Sequence, residues 1–216
     1  MIEHADGTFN TDTTYCDGTN AAIISNLYCL IPMSVLRASP YSLTLNTLVA
    51  AKVLAHNSRG WSTSSSANVA GASIQTEPSS MTALTSGTTT SSTQIELDWV
   101  ALTSPNDGYS TILSYGVEWD QGINSFVELL GETSDFTGTT YTITTGITSG
   151  TTYQFKIRSK NKWGWGTFST ITTILAASKP SQMNPVTTTI DPTTGGVTIY
   201  FTAPSSNGAS ISAYLI

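Results

Sequence analysis

The chain is predicted to be all-β and built from β-sandwiches. Three observations carry that prediction. In residues 147–169, Tyr153, Phe155 and Ile157 alternate with Gln154, Lys156 and Arg158, and glycines break the chain on both sides (Gly150; Gly164 and Gly166). That is the period-2 pattern of a strand with one buried face, bounded by turns. Short apolar alternations of this kind recur through a sequence rich in Thr, Ser and Gly, and the branched Cβ of Thr suits a pleated, half-buried surface. No apolar stripe at helical spacing is sustained. The best helical candidate, residues 23–36, is interrupted by Pro32.

The fullest set of strands lies in residues 79–178. Residues 77–80 read as a linker, and an apolar segment at 81–84 follows. Residues 95–99 are apolar at every second position (Ile95, Leu97, Trp99), and residues 104–108 are a Pro-Asn-Asp-Gly turn. Residues 112–119 then place Tyr115, Val117 and Trp119 on one face. Asp120-Gln121-Gly122 turns the chain into a short strand at 126–130. Residues 141–143 lead into the stretch at 147–169, and residues 170–175 close the set. Seven short strands over about 100 residues, punctuated by turns, are the signature of a sandwich.

Tyr153 stands just after the Ser149-Gly150 turn and opens an alternating strand, the placement a tyrosine corner needs. This stretch resembles the F strand and F–G turn of a fibronectin type III domain. Residues 95–99 look like its strand B, with Trp99 at the core tryptophan position. The core markers are then Trp99, Tyr115, Trp119 and Tyr153, with Phe201 and Tyr214 expected to play the same part in the last residues. The resemblance implies tandem β-sandwiches of immunoglobulin-like class, acting as a non-enzymatic spacer or interaction module.

Set under this pattern, the two flanks read as halves. With Gly60 under Gly164, Asn57 falls under Asn161, Val53 under Ile157, Ala51 under Phe155 and Trp61 under Trp165. Residues 1–78 are therefore read as the back half of a similar domain. Val49 takes the place of Tyr153, so this half lacks the corner. Residues 197–201 match 95–99, with Phe201 in place of the tryptophan, and Tyr214 falls under Tyr115. Residues 179–216 are read as the front half of a domain. Tyr214, Ile216 and Ile2 continue one alternation, followed by an Asp6-Gly7 turn. The front half is expected to be completed by residues 1–78 of the next repeat or subunit. This makes the chain a repeat or subunit of an extracellular fibre, partnered by copies of itself head to tail. A fragment whose neighbours merely resemble these domains is the alternative.

Composition excludes several classes. The net charge of −6 and the acidic pI near 4.6 are wrong for a nucleic-acid binder, which needs a basic face. Only 10% of residues are charged, against roughly 25% in ordinary soluble chains. No apolar run is long enough for a membrane span, and the first residues do not read as a signal peptide. Cys16 and Cys29 are an even pair in an all-β, low-charge chain, which favours an extracellular disulfide over two buried thiols.

Enzyme signatures are missing. His4 and His56 are the two histidines, and no nucleophile elbow, phosphate loop or zinc-protease motif occurs. Carboxylates are sparse and sit mostly in turns, so neither a cofactor nor a metal site is expected. The candidate interaction patch is aromatic: Trp163, Trp165 and Trp61, with Arg158 and neighbouring lysines able to stack on indole faces. One reading is an exposed contact for glycans or matrix proteins, as in an adhesive or carbohydrate-binding receptor. The other is that the tryptophans cap the sandwich or bury into a neighbouring domain.

Overall fold

A computed structural model describes all of residues 1–216. The chain divides into two units. The first holds Met1–Ser79, Leu102–Ile112 and Lys160–Gly166. The second holds Ser80–Ala101, Leu113–Ser159 and Thr167–Ile216.

In the first unit, β1 (Ile2–Glu3) pairs antiparallel with β2 (Phe9–Asn10). Two short helices follow, α1 (Ala21–Asn26) and α2 (Met33–Arg37). They lie on either side of Pro32, because a proline is harmless just before a helix and breaks its interior. Asn20 caps α1 by accepting the Ala22 amide at 2.9 Å. Cys16 and Cys29 form a disulfide around α1, with Cα atoms 5.2 Å apart. A hairpin of β3 (His56–Asn57) and β4 (Gly60–Trp61) follows. Leu36, Tyr41, Leu43 and Ile74 are the core, with Ile2, Ile31, Met33, Val35 and Val49 packed against it.

The second unit carries two facing sheets. One is β5 (Thr85–Ser86), β6 (Ile95–Asp98) and β9 (Thr140–Ile143), in the order β5-β6-β9. The other joins β7 (Ser114–Trp119), β8 (Val127–Leu130), β10 (Thr152–Asn161) and β12 (Thr172–Leu175), and its strand β11 (Gly164–Trp165), with the last two residues of β10, is counted in the first unit. It runs β11-β10-β7-β8, and β12 also pairs with β10. The inward positions of β6, β7 and β10 are the core: Ile95, Leu97, Val117, Phe155 and Ile157 have no exposed surface. The alternation seen in the sequence is thus the alternation of buried and half-buried residues along β10. The Tyr153 hydroxyl accepts the Thr148 amide at 2.8 Å and donates to the Gly146 carbonyl at 3.1 Å, forming the corner. A separate pair, β13 (Thr187–Ile190) and β14 (Val197–Tyr200), follows.

Registers repeat along the chain. Asn57 opposes Gly60 and His56 opposes Trp61, as Asn161 opposes Gly164 and Lys160 opposes Trp165. Thr187 opposes Tyr200 and Thr188 opposes Ile199, as Thr85 opposes Asp98 and Ser86 opposes Leu97. The Glu3 amide donates to the Ala50 carbonyl at 2.9 Å, as the Asp120 amide donates to that of Gln154 at 3.1 Å.

Candidate interaction surfaces

Strand β10 presents its polar face as a row of cations over aromatic rings. In the second unit, Lys156 Nζ lies 4.6 Å from the Phe126 centroid and 4.1 Å from that of Phe168. It also pairs with Glu118 at 2.8 Å. Arg158 stacks on Phe168 at 4.3 Å, and its Nε and Nη2 both donate to Glu132 Oε1, at 3.0 and 2.6 Å. In the first unit, Lys160 lies 5.5 Å from Trp165 and Lys162 lies 5.0 Å from Trp163. The Trp163 indole N–H donates to Gln75 Oε1 at 3.1 Å. These cations and rings hold one another across a sheet surface.

Trp163 and Trp165 are half-buried, not exposed as the patch reading expected. The physical reason is the fold of the hairpin. Gly164 turns the hairpin at positive φ (138°), Gly166 lies close against the Pro78 carbonyl, and the Trp163 indole is held by Gln75 while Lys160 lies over Trp165. Trp61 differs: it stands 71% exposed, its ring 4.7 Å from that of His56. His4 packs edge-on against Tyr41 at 4.8 Å. No three His, Cys, Asp or Glu side chains group as a metal site would require. No helix is long and apolar enough to cross a membrane.

The sequence reading missed Asn161 as a structural centre. It is 1% exposed. Its amide donates to the carbonyls of Thr76 (2.7 Å) and Asp107 (2.9 Å), and its Oδ1 accepts the Trp163 amide at 2.8 Å. The signal was present: Asn57 recurs at the matching place in the first hairpin. Around Asn161 the Thr76 amide donates to Gly108 O at 3.1 Å and the Ser79 amide to Asn106 O at 2.9 Å. The same pair of bonds holds the second join, from Ser178 to Asn207 O (2.8 Å) and from Ser181 to Ser205 O (3.0 Å). Both turns carry two successive residues of positive φ, Gly108-Tyr109 and Asn207-Gly208.

A second surface is apolar. Phe201 and Tyr214 rings lie 5.0 Å apart, mirroring Trp99 and Tyr115 at 6.1 Å. Their environments differ. Trp99 and Tyr115 are buried, whereas Phe201 is 37% and Tyr214 44% exposed. They line an open groove of about 530 Å³ together with Met183, Val186, Ile199 and Ile216.

Residues 77–174 match the family model of the fibronectin type III domain. No curated protein matches the chain. Among solved structures, the FN1-FN3 domains of chicken CNTN1 align at 16% identity over 70% of this chain and 50% of theirs, with TM-score 0.42. The 6th fibronectin type III domain from human fibronectin type III domain containing protein 3 aligns at 21% identity, over 53% of this chain and 99% of its own, with TM-score 0.40. A multidomain segment of titin aligns at 22% identity over 47% of this chain, with TM-score 0.39; the match spans 33% of the titin segment. Domains of the matched family are typical of extracellular structural and adhesion proteins and are generally non-enzymatic.

Proposed function

Because residues 77–174 match the family model of the fibronectin type III domain, we propose that the chain is a non-enzymatic structural building block of an extracellular fibre or surface array, made of sandwiches joined head to tail. The observation that carries this reading is the repeated join. The chain enters residues 80–178 and residues 182–216 through matching pairs of backbone hydrogen bonds, each pair onto a turn that carries two successive residues of positive φ. A join of that kind is a clamped connection rather than a free tether. A covalent bond between Cys16 and Cys29 fits an oxidising, extracellular setting. Electron microscopy of the purified full chain across a concentration series tests the reading. Periodic filaments or chains are expected; isolated particles at every concentration would sink it.

A second reading attaches to Trp61, whose exposed indole beside His56 has the form of a ligand-stacking platform. It makes the chain an adhesive or glycan-binding ectodomain. Its test is a glycan array, on which binding must vanish with Trp61→Ala. Uniformly negative arrays would dismiss it.

A further inference from the structure

We propose that the free edge of β9 is the docking site for the same edge of a second copy of this chain. The two strands run antiparallel about a two-fold axis beside Tyr141 and join two three-stranded sheets into one. The array reading joins sandwiches end to end; this contact goes beyond it and pairs them side by side.

Backbone register shows that the edge is open. Strand β9 pairs with β6 alone. The Gly87 amide donates to Glu96 O at 2.8 Å, and the Trp99 amide donates to Thr139 O at 3.0 Å. Successive residues of a strand turn their amides and carbonyls to opposite sides. Glu96 and Asp98 therefore serve β5, whereas Ile95, Leu97 and Trp99 serve β9. The β9 partners of Ile95 and Leu97 are Ile143 and Tyr141. This leaves the amides and carbonyls of Thr140 and Thr142 facing outward, and both residues are exposed.

The other sheet edges of this domain are guarded in ways that β9 is not. Strand β8 carries Glu128 and lies against a register shift between Val117 and Glu118. Strand β12 is flanked by the chain at residues 80–84, where Ser80 Oγ donates to Phe168 O at 3.1 Å and Thr172 Oγ1 donates to Leu84 O at 2.8 Å. Strand β5 is two residues long. Charges, bulges, covering segments and short strands are the usual guards of a sheet edge.

The occupant follows from the sequence of the edge. Residues 136–155 contain no charged residue and no proline. Set against its own copy, β9 opposes no like charges and interrupts no ladder with a missing amide. With Tyr141 opposite Tyr141, Thr140 stands opposite Thr142, and the two Thr pairs exchange four hydrogen bonds. The nearest carboxylates stand one strand back, Glu96 beside Thr142 and Asp98 beside Thr140. Asp98 of one copy and Glu96 of the other are then three strand spacings apart, about 14 Å, beyond the screening length of roughly 10 Å. The contact is strand addition, and it is isologous, so it closes at two copies.

Site-directed cross-linking of the full chain tests the register. Thr140→Cys protein is mixed with Thr142→Cys protein under mild oxidation. Opposite residues of a hydrogen-bonded pair have Cα atoms about 5.5 Å apart, within disulfide reach. Residues offset by two stand roughly 7–8 Å apart, outside it. The mixture is expected to give roughly ten times the dimer formed by Thr140→Cys protein alone. Equal yields overturn the proposal. Independently, Thr142→Pro removes an amide that β6 does not use, and with it two of the four hydrogen bonds. Sedimentation is expected to show dimers of the unsubstituted chain and association weakened roughly tenfold or more in this variant, with thermal unfolding unchanged. Thr142→Lys covers the case in which proline disturbs the strand, because it keeps the amide and sets like charges across the axis. A chain that stays monomeric at all concentrations overturns the pairing, as does association that survives both variants. Filaments whose β9 edges do not cross-link overturn the pairing and leave the array reading standing. Cross-linked dimers without filaments support the pairing and remove the fibre.

Discussion

The hydroxyl of Tyr153 accepts a hydrogen bond from the Thr148 amide at 2.8 Å, pinning the start of β10 to the turn before it. The same hydroxyl donates to Gly146 O at 3.1 Å, and the ring stacks on Trp119 at a centroid distance of 5.8 Å. Tyr153→Phe keeps the ring and deletes both bonds. The expected loss is about 1–2 kcal/mol, with the urea midpoint lowered and the slope unchanged. An unchanged midpoint would remove the corner from the account of stability.

Asn161 satisfies three backbone groups at once: the Thr76 and Asp107 carbonyls and the Trp163 amide. Asn161→Ala leaves those groups buried without this partner, at a cost of roughly 3 kcal/mol. Asn161→Asp is expected to do no better, because its oxygens face two carbonyl oxygens that need donors. Thermal unfolding of the two variants checks this. A stable Asp variant would mean that the carbonyls find other donors.

Legibility in the sequence followed the period of the backbone. The strands of residues 79–178 were readable because Tyr153, Phe155 and Ile157 each bury a side chain from one face, and burial writes itself as alternation. The repeat was readable because Asn57, Gly60 and Trp61 hold hairpin positions that Asn161, Gly164 and Trp165 hold again. The helices were half-readable: residues 23–36 showed helical composition, and Pro32 explains why two short helices form rather than one. What could not be read were interactions between residues distant in sequence. Nothing in the local pattern pairs Arg158 with Glu132, or brings Gln75 to the Trp163 indole, because those contacts depend on which strands become neighbours. The half-burial of Trp163 and Trp165 belongs to the same class.

Alkaline pH should loosen the first unit through one pair. The Tyr41 hydroxyl donates to the Asp12 carboxylate. Burial, with that carboxylate beside it, pushes the Tyr41 phenol up to about 12. Burial also pushes the Asp12 carboxyl up, but the bonds it accepts from Tyr41 and from the Tyr15, Cys16 and Thr14 amides outweigh it and hold the group below its ordinary value. The phenol is raised in the folded state, so its contribution is complete below its unfolded value near 10 and is lost as pH rises toward 12. The depressed carboxyl contributes above its unfolded value near 3.8 and is lost as pH falls through its lower folded value. Denaturation midpoints measured from pH 9 to about 12 should fall less steeply in Tyr41→Phe than in the unsubstituted chain. Parallel curves would show that Tyr41 is not the titrating group.

The two joins should break independently at their glycines. Gly108 has φ +72° and Gly208 φ +96°, both in the left-handed region. A Cβ on Gly108 would collide with the Thr76 carbonyl oxygen, and one on Gly208 would lie 2.6 Å from the Ala176 carbonyl oxygen. Alanine at either place therefore adds a backbone clash to the strain of the conformation. Gly195 separates these two costs, since it has φ +67° and nothing within 4 Å of an added Cβ. Gly195→Ala is expected to cost about 1 kcal/mol from strain alone. Gly108→Ala and Gly208→Ala should each cost roughly twice that or more, because the opposing atoms are main chain and cannot swing aside. Amide exchange locates the damage. Gly108→Ala should speed exchange at Thr76, whose N–H donates to Gly108 O, and leave Ser178 protected. Gly208→Ala should do the reverse, because the Ser178 N–H donates to Asn207 O. If both variants matched Gly195→Ala in stability and exchange, the joins would be held by the strands around them rather than by these turns.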